Sequence, residues 1–195
     1  MDDPAYRRIL LKLSGEALQG DQGFGLSAEM LDSVANQLKD IQDLGVQLAL
    51  VVGGGNIFRG LAGAASGMDR IRADHMGMLA TCINALALKD ALDRAGAPNV
   101  VMSAVPIGTF APTYSRDGAL AALQRGEIVV FAAGTGVPVF STDTASSLRA
   151  IEIGAQAMFK ATKVDGVYDK DPMKHPDAVR YDRLTYDEII ERKLR

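Results

Sequence analysis

Val46-Gln47-Leu48-Ala49-Leu50-Val51-Val52-Gly53-Gly54-Gly55-Asn56 is the stretch that decides the fold. Val46 to Val52 has the length and β-branched content of a strand buried on both faces, and three glycines follow it without a break. Three successive residues without a β-carbon let the backbone approach a phosphate closely and offer it N–H groups. The bland alternative is a tight turn that binds nothing. The segment after the triplet, ending in Arg59-Gly60, places a helix N-terminus behind such an anion.

Working outward, strand-like and helix-like segments alternate. Ile9 to Leu13 is a short apolar run closed by Ser14-Gly15. Ser27 reads as an N-cap, followed by Leu31, Val34, Leu38 and Ile41 at helical spacing and Gly45 as a stop. A long helix follows the glycine triplet, with Met76, Leu79, Ile83 and Leu86 on one face and Gly96 beyond its end. Asn99 to Met102, Glu127 to Phe131 and Ala157 to Phe159 are further strands, and Thr142 to Gly154 is a helix. Thr185 caps a last helix, in which Ile189 and Ile190 are expected to point inward. This alternation predicts an α/β fold, with a parallel sheet and helices on both faces. No linker, repeat or low-complexity tract interrupts it, so residues 1–195 are read as one domain.

Composition narrows the function. The 195 residues are 48% hydrophobic, enough for a sizeable core, and 21 basic against 24 acidic residues leave a net charge of -3. That balance argues against a nucleic-acid partner, which calls for a basic surface. A single cysteine, Cys82, builds neither an internal disulfide nor a thiolate zinc site. Met1-Asp2-Asp3-Pro4 is unlike a signal peptide, and no apolar run approaches the roughly 20 residues of a membrane span. A cytoplasmic protein with no membrane partner is the expectation.

In open α/β sheets ligands gather beyond the C-terminal ends of the strands. Lys12-Leu13-Ser14-Gly15, Gly53-Gly54-Gly55-Asn56 and Gly134-Thr135-Gly136 all fall there, which makes a crowded polyanion site. Lys12 is a charge inside an apolar strand, so it must reach either an anion or the open strand end. At the ligand edge it can neutralise a transferring phosphoryl group; the plain alternative is a lysine snorkelling to the surface. Asp143 sits at a helix start, where acids are ordinary dipole partners. Arg59 and Asp74 alone read as surface charges, and His75 as a helix-face residue. There is no G-x-x-x-x-G-K-[ST] and no G-x-G-x-x-G, which excludes a P-loop and disfavours a dinucleotide fold. Asp165 to Pro172 is rich in Asp but lacks EF-hand spacing and its terminal Glu, so no protein-held metal is assigned.

Together these phrases resemble the amino-acid-kinase family, and within it the bacterial uridylate kinases. The resemblance is carried by Ile9 to Leu18, Gly53 to Gly60, Ala73 to Thr81, Gly134 to Ala145 and Lys160 to Tyr168, in order and over nearly the whole chain. Asp74-His75-Met76-Gly77-Met78 is specific to the uridylate branch, whereas the glycine loops and Lys12 are shared with acetylglutamate, aspartate and carbamate kinases. The resemblance implies a three-layer α/β/α sandwich with a mainly parallel central sheet, a homohexamer, and transfer of the ATP γ-phosphoryl group to UMP, with Mg2+ accompanying ATP. It implies ATP contacts at Lys12, Leu13, Ser14, Gly15, Gly55, Arg59, Thr162, Tyr168 and Asp171. UMP contacts are implied at Gly54, Asp74 and Thr135-Gly136-Val137-Pro138-Val139-Phe140-Ser141-Thr142. Catalytic roles fall to Lys12, Asp143, Arg59 and Lys163, with Asp143 holding Lys12 and a neighbouring donor in place. Gly20-Asp21-Gln22-Gly23-Phe24-Gly25, by itself only a mobile Gly-rich loop, matches the segment linked to activation by GTP; UTP is the implied inhibitor. The family pattern continues past Arg195 with a further helix and strands. Two other readings stay open: a sister kinase acting on a carboxylate or carbamate, and a non-catalytic nucleotide-binding protein. The presence of both Lys12 and Asp143 speaks against the second.

Overall fold

The apolar stretch before the glycine triplet forms a strand that serves two cores at once. In the computed structural model, which describes residues 4–162 and 164–194, β2 (Gln47–Val52) sends Leu48, Leu50 and Val52 to one face and Ala49 and Val51 to the other. This is the period-two alternation of a pleated strand with apolar neighbours on both sides. The opening Met1-Asp2-Asp3, the candidate Lys163 and Arg195 lie outside the described residues.

Around β2 stand β1 (Arg8–Leu13), β3 (Asn99–Ser103), β4 (Ile128–Ala132) and β5 (Ala157–Lys160). They form one sheet in the order β3-β4-β2-β1-β5, parallel at every pairing. One face is covered by α1 (Ala28–Asp43) and α3 (Arg70–Arg94), through Leu31, Leu38, Ala85, Leu88 and Leu92. The short α2 (Gly60–Ala65) precedes α3. The other face is covered by α4 (Arg116–Gln124) and α5 (Thr142–Ile153), through Ala119, Leu123, Ala145 and Ile153. The result is the three-layer α/β/α sandwich. Local signals set the boundaries as expected: Ser27 accepts a hydrogen bond from the Met30 N–H, and Gly45 and Gly154 take left-handed conformations (φ 78° and 64°) just past their helices.

Met76, Leu79 and Ile83 share a face of α3; that face is exposed, and Leu86 is half-buried. The inward face is instead built of Ala80, Ala85 and Ala91 with Leu88 and Leu92, small residues that let the helix lie close to the sheet. Between Met76 and Leu88 the helix is apolar on more than one side, and periodicity alone does not choose between two candidate stripes. In the Gly20 to Gly25 segment a 3-10 turn spans Gly20–Gln22, and the Gly25 N–H donates to the Asn56 carbonyl at 2.9 Å. One expectation needs correction: Ile190 is exposed and Ile189 only half-buried. Adjacent helical residues point about 100° apart, so the two isoleucines face different ways.

By contacts the chain divides into two compact units, residues 1–161 and 162–195. The first contains the sandwich. The second contains an antiparallel pair, β6 (Val167–Tyr168) with β7 (Arg180–Tyr181), and α6 (Tyr186–Glu191), whose start is fixed by a Thr185–Glu188 capping box. Among the described residues no helix is long and apolar enough to cross a membrane.

Candidate active site

Parallel pairing puts residues at equal height side by side, and Lys12 of β1 is in register with Lys160 of β5. Two ammonium groups on one sheet face repel unless an acid lies between them. The first turn of α5 supplies it. Lys12 Nζ lies 3.0 Å from Asp143 Oδ1, and Lys160 Nζ lies 2.9 Å from Asp143 Oδ2. Lys12 is buried, whereas Lys160 and Asp143 are half-exposed. Partial burial pushes the Asp143 carboxyl up, but the Lys160 and Lys12 ammonium groups outweigh it and hold the group below the ordinary carboxylate value. Asp143 is therefore an anionic clamp on two cations. Lys160 was missed in the sequence, where its only signal is its position at the end of a strand; its partnership with Lys12 depends on a register that the sequence does not print.

Next to this triad the loops after β2 and β4 face α3 across a cleft of about 560 Å³. Gly54, Asp74, Thr135, Val137, Pro138, Val139, Phe140, Ser141 and Thr142 line it, joined by Gly55 and Arg59. Gly136 faces elsewhere, into a hollow of about 210 Å³ beside His75 and Cys82. The loop after β4 is held in an uncommon shape. Ala133 and Val139 have φ of 62° and 75°, which non-glycine residues seldom adopt. Each is fixed by a side chain of α3: Ala133 N–H donates to Thr81 Oγ1 at 2.8 Å, and Val139 N–H donates to Asp74 Oδ2 at 2.9 Å. The same Asp74 oxygen accepts from Arg70 Nε at 2.8 Å. Such strain persists where surrounding contacts over-determine it, and it clusters at ligand sites. Thr81 and Arg70 are further cleft residues that the sequence did not single out.

The remaining candidates fall in several places. Leu13 is buried and its carbonyl accepts from the Gly53 N–H at 2.9 Å, which ties the loops after β1 and β2 together. Ser14 Oγ accepts from the Glu16 N–H at 3.3 Å, and Gly15 is buried against Gly53. Arg59 donates to the Gly55 carbonyl at 3.3 Å and forms an ion pair with Glu16. Thr162, Tyr168 and Asp171 belong to the second unit. There the Thr162 hydroxyl donates to the Val164 carbonyl, the Tyr168 hydroxyl donates to Asp165 at 2.5 Å, and Asp171 accepts from the Met173 N–H at 3.0 Å.

The donor set does not fit a resident metal ion. Among the described residues no group of three or more His, Cys, Asp and Glu could hold one, and the carboxylate at the strand ends is already taken by two lysines.

A parallel sandwich with glycine loops and clustered cations at its strand ends is an apparatus for handling phosphates. The chain belongs to the amino acid kinase family, whose model matches residues 7–194. Within the family it is similar to the uridylate kinase of Xanthomonas campestris pv. campestris, 58% identical over 194 residues, which covers 100% of this chain and 81% of that protein. The uridylate kinase of Methylococcus capsulatus is 57% identical over 194 residues, with the same coverage. Among solved structures, UMP kinase from Bacillus anthracis superposes with a TM-score of 0.92 at 38% identity, over 97% of this chain and 79% of that one. UMP kinase from Ureaplasma parvum gives 0.90 at 33% identity, over 97% and 81%.

Proposed function

We propose that this chain transfers the γ-phosphoryl group of ATP to UMP, giving UDP and ADP. The observation that carries the reading is the Lys12–Asp143–Lys160 triad beside a cleft lined by Gly54, Asp74 and the 135–142 loop. Its support from outside is the 54–58% identity to uridylate kinases over nearly the full chain.

Phosphoryl transfer asks a protein for positioning and charge neutralisation rather than covalent chemistry. A UMP phosphate oxygen attacks the γ-phosphorus as the bond to the bridging oxygen breaks, and the electron pair leaves with ADP. The attacking phosphate has a second pKa of about 6, so near neutral pH no base is needed. Lys12 and Lys160 offset the charge on the moving group. Asp143 orients both and takes no proton. In this reading Lys160 is the second cation; Lys163 remains a candidate from resemblance alone. Arg59, Gly55 and the Lys12 to Gly15 segment would serve ATP; Thr162, Tyr168 and Asp171 are ATP candidates from the resemblance alone, and Mg2+ would accompany the ATP phosphates, offsetting their charge.

The finer parts of the reading have separate supports. One family model runs through both compact units, which favours a single catalytic domain. The exposed Met76, Leu79 and Ile83 face favours burial in an assembly, here a homohexamer. GTP activation through Gly20 to Gly25, inhibition by UTP and a cytoplasmic location rest on the resemblance. The deciding experiment measures ADP release from ATP with UMP, with acetylglutamate or aspartate, with carbamate, and with no acceptor. Release that depends on UMP supports the reading; release without regard to UMP sinks it.

A further inference from the structure

One buried polar cluster has no part in the chemistry above. Asn84 lies in the middle of α3 with no exposed surface, and Asn56, at the end of the glycine loop, is 2% exposed. Buried amides are costly unless every donor is used. Here every one is. Asn84 Nδ2 donates to the Gly53 carbonyl at 2.6 Å and to Asn56 Oδ1 at 2.7 Å. Asn56 Nδ2 donates to the Gly25 carbonyl at 2.7 Å and to Asn84 Oδ1 at 3.1 Å. The Gly25 N–H returns a bond to the Asn56 carbonyl at 2.9 Å.

Gly15 closes over the same pair. A β-carbon there would lie 2.3 Å from Asn56 Oδ1, 2.6 Å from the Gly53 carbonyl oxygen and 3.0 Å from Asn84 Nδ2. Three segments therefore converge on two amides: the loop after β1 at Gly15, the loop after β2 from Gly53 to Asn56, and the 20–25 segment at Gly25. Apolar residues of similar volume would fill this space but would leave the Gly53 and Gly25 carbonyls without these donors. They would also not supply direction, because directional hydrogen bonds fix the separation and tilt of two loops that meet through Gly15 and Gly53, which have no side chains to interlock.

We propose that Asn84 and Asn56 are positioning residues that set the distance between the phosphate-facing loops after β1 and β2. They act through Gly15 and Gly53 rather than by touching substrate. The inference rests on the phosphoryl-transfer reading above. It predicts a loss concentrated in the transition state, where small misplacements are most costly.

The test is steady-state kinetics with ATP and UMP on the parent chain, Asn84→Ala, Asn56→Ala and the double variant, each shown to be folded by circular dichroism. Each single variant is expected to lower kcat by about 10- to 100-fold, the scale of a misplacement near 1 Å, with both KM values within about threefold. The double variant is expected to lose less than the two single losses multiplied, because both substitutions break the same pair of amide–amide bonds. Unchanged kcat in folded variants, raised KM with kcat intact, or losses that multiply in the double variant would overturn the proposal. Should Asn84→Ala fail to fold, the kcat and KM values of Asn56→Ala decide alone. A parent that releases no UMP-dependent ADP overturns the underlying reading; an active parent with indifferent variants overturns only this inference.

Discussion

The Lys12 ammonium lies 3.0 Å from the Asp143 carboxylate, and only 11% of the lysine side chain is exposed. A strand interior and a helix start are joined by that contact at the one edge of the sheet where glycine loops collect. Lys160 completes it from the neighbouring strand. Replacing Asp143 by Asn keeps the shape but leaves two lysines without their shared anion. Turnover is expected to fall by about 10²-fold or more, the scale of losing one preorganised electrostatic element. The UMP affinity, in the proposed reading set by the cleft beside it, should change far less. Steady-state kinetics and calorimetric titration with UMP check both halves, and parental turnover in a folded variant would remove Asp143 from the mechanism.

The same ion pairs give a pH signature. The Asp143 carboxyl titrates below its ordinary value of 3.8 in the folded chain. A depressed pKa contributes stability that is fully present above the unfolded value and is lost as pH falls through the folded one. The stability gap between the parent and Asp143→Asn should therefore be constant from pH 7 to about 5 and close below about pH 4. Asp143 is half-exposed, so screening keeps the gap small, and added salt should shrink it further. Urea titrations across that range test it. A gap that persists unchanged at pH 2.5 would mean that the charge on Asp143 contributes nothing.

Much of this architecture was legible in the sequence, because local chemistry wrote it. Capping serines, closing glycines and double-sided apolar strands gave the order of the main elements. α4 escaped, since Gly118 sits in its first turn and its inward residues are largely alanines, which leave no strong stripe. The strand-end loops were legible for the same local reason. Lys160, Thr81 and the Asn56–Asn84 pair were not. Each takes its meaning from a partner distant in sequence, reached through register or helix packing.

Asp74 carries a second prediction of that kind. A carboxylate that accepts from ribose hydroxyls would distinguish UMP from dUMP, yet Asp74 Oδ2 also holds the strained Val139 N–H and pairs with Arg70. Removing the carboxylate in Asp74→Ala should both raise KM for UMP and lower the UMP/dUMP specificity ratio. Asp74→Asn keeps an oxygen for Val139 and should raise KM less. An unchanged UMP/dUMP ratio in the alanine variant would restrict Asp74 to holding the loop.

The glycine triplet that opened the case makes the last prediction, because its three members are not equivalent. A β-carbon on Gly54 would lie 2.8 Å from the Gly77 carbonyl oxygen, 2.9 Å from Ala80 Cβ and 3.0 Å from the Thr81 nitrogen. Those are atoms of a long, well-anchored helix, and two of them are backbone, so the loop must yield rather than α3. On Gly55 the nearest atom is Arg59 Nε at 3.5 Å, an ordinary contact on a side chain that can move. Gly54→Ala is therefore an overpacking substitution, of the class that costs about 1–3 kcal/mol, and in a chain of this size should lower Tm by roughly 2–12 °C. It also pushes the loop into the cleft, so KM for UMP should rise together with the loss of stability. Gly55→Ala should melt within about 2 °C of the parent, being near neutral as a surface change, and any effect it has should appear in the kinetics with ATP. Thermal melts of the two variants, with KM for each nucleotide, separate a glycine required by packing from one required by a phosphate. If Gly54→Ala melts with the parent and binds UMP as well, the close approach of this loop to α3 is not what the triplet is for.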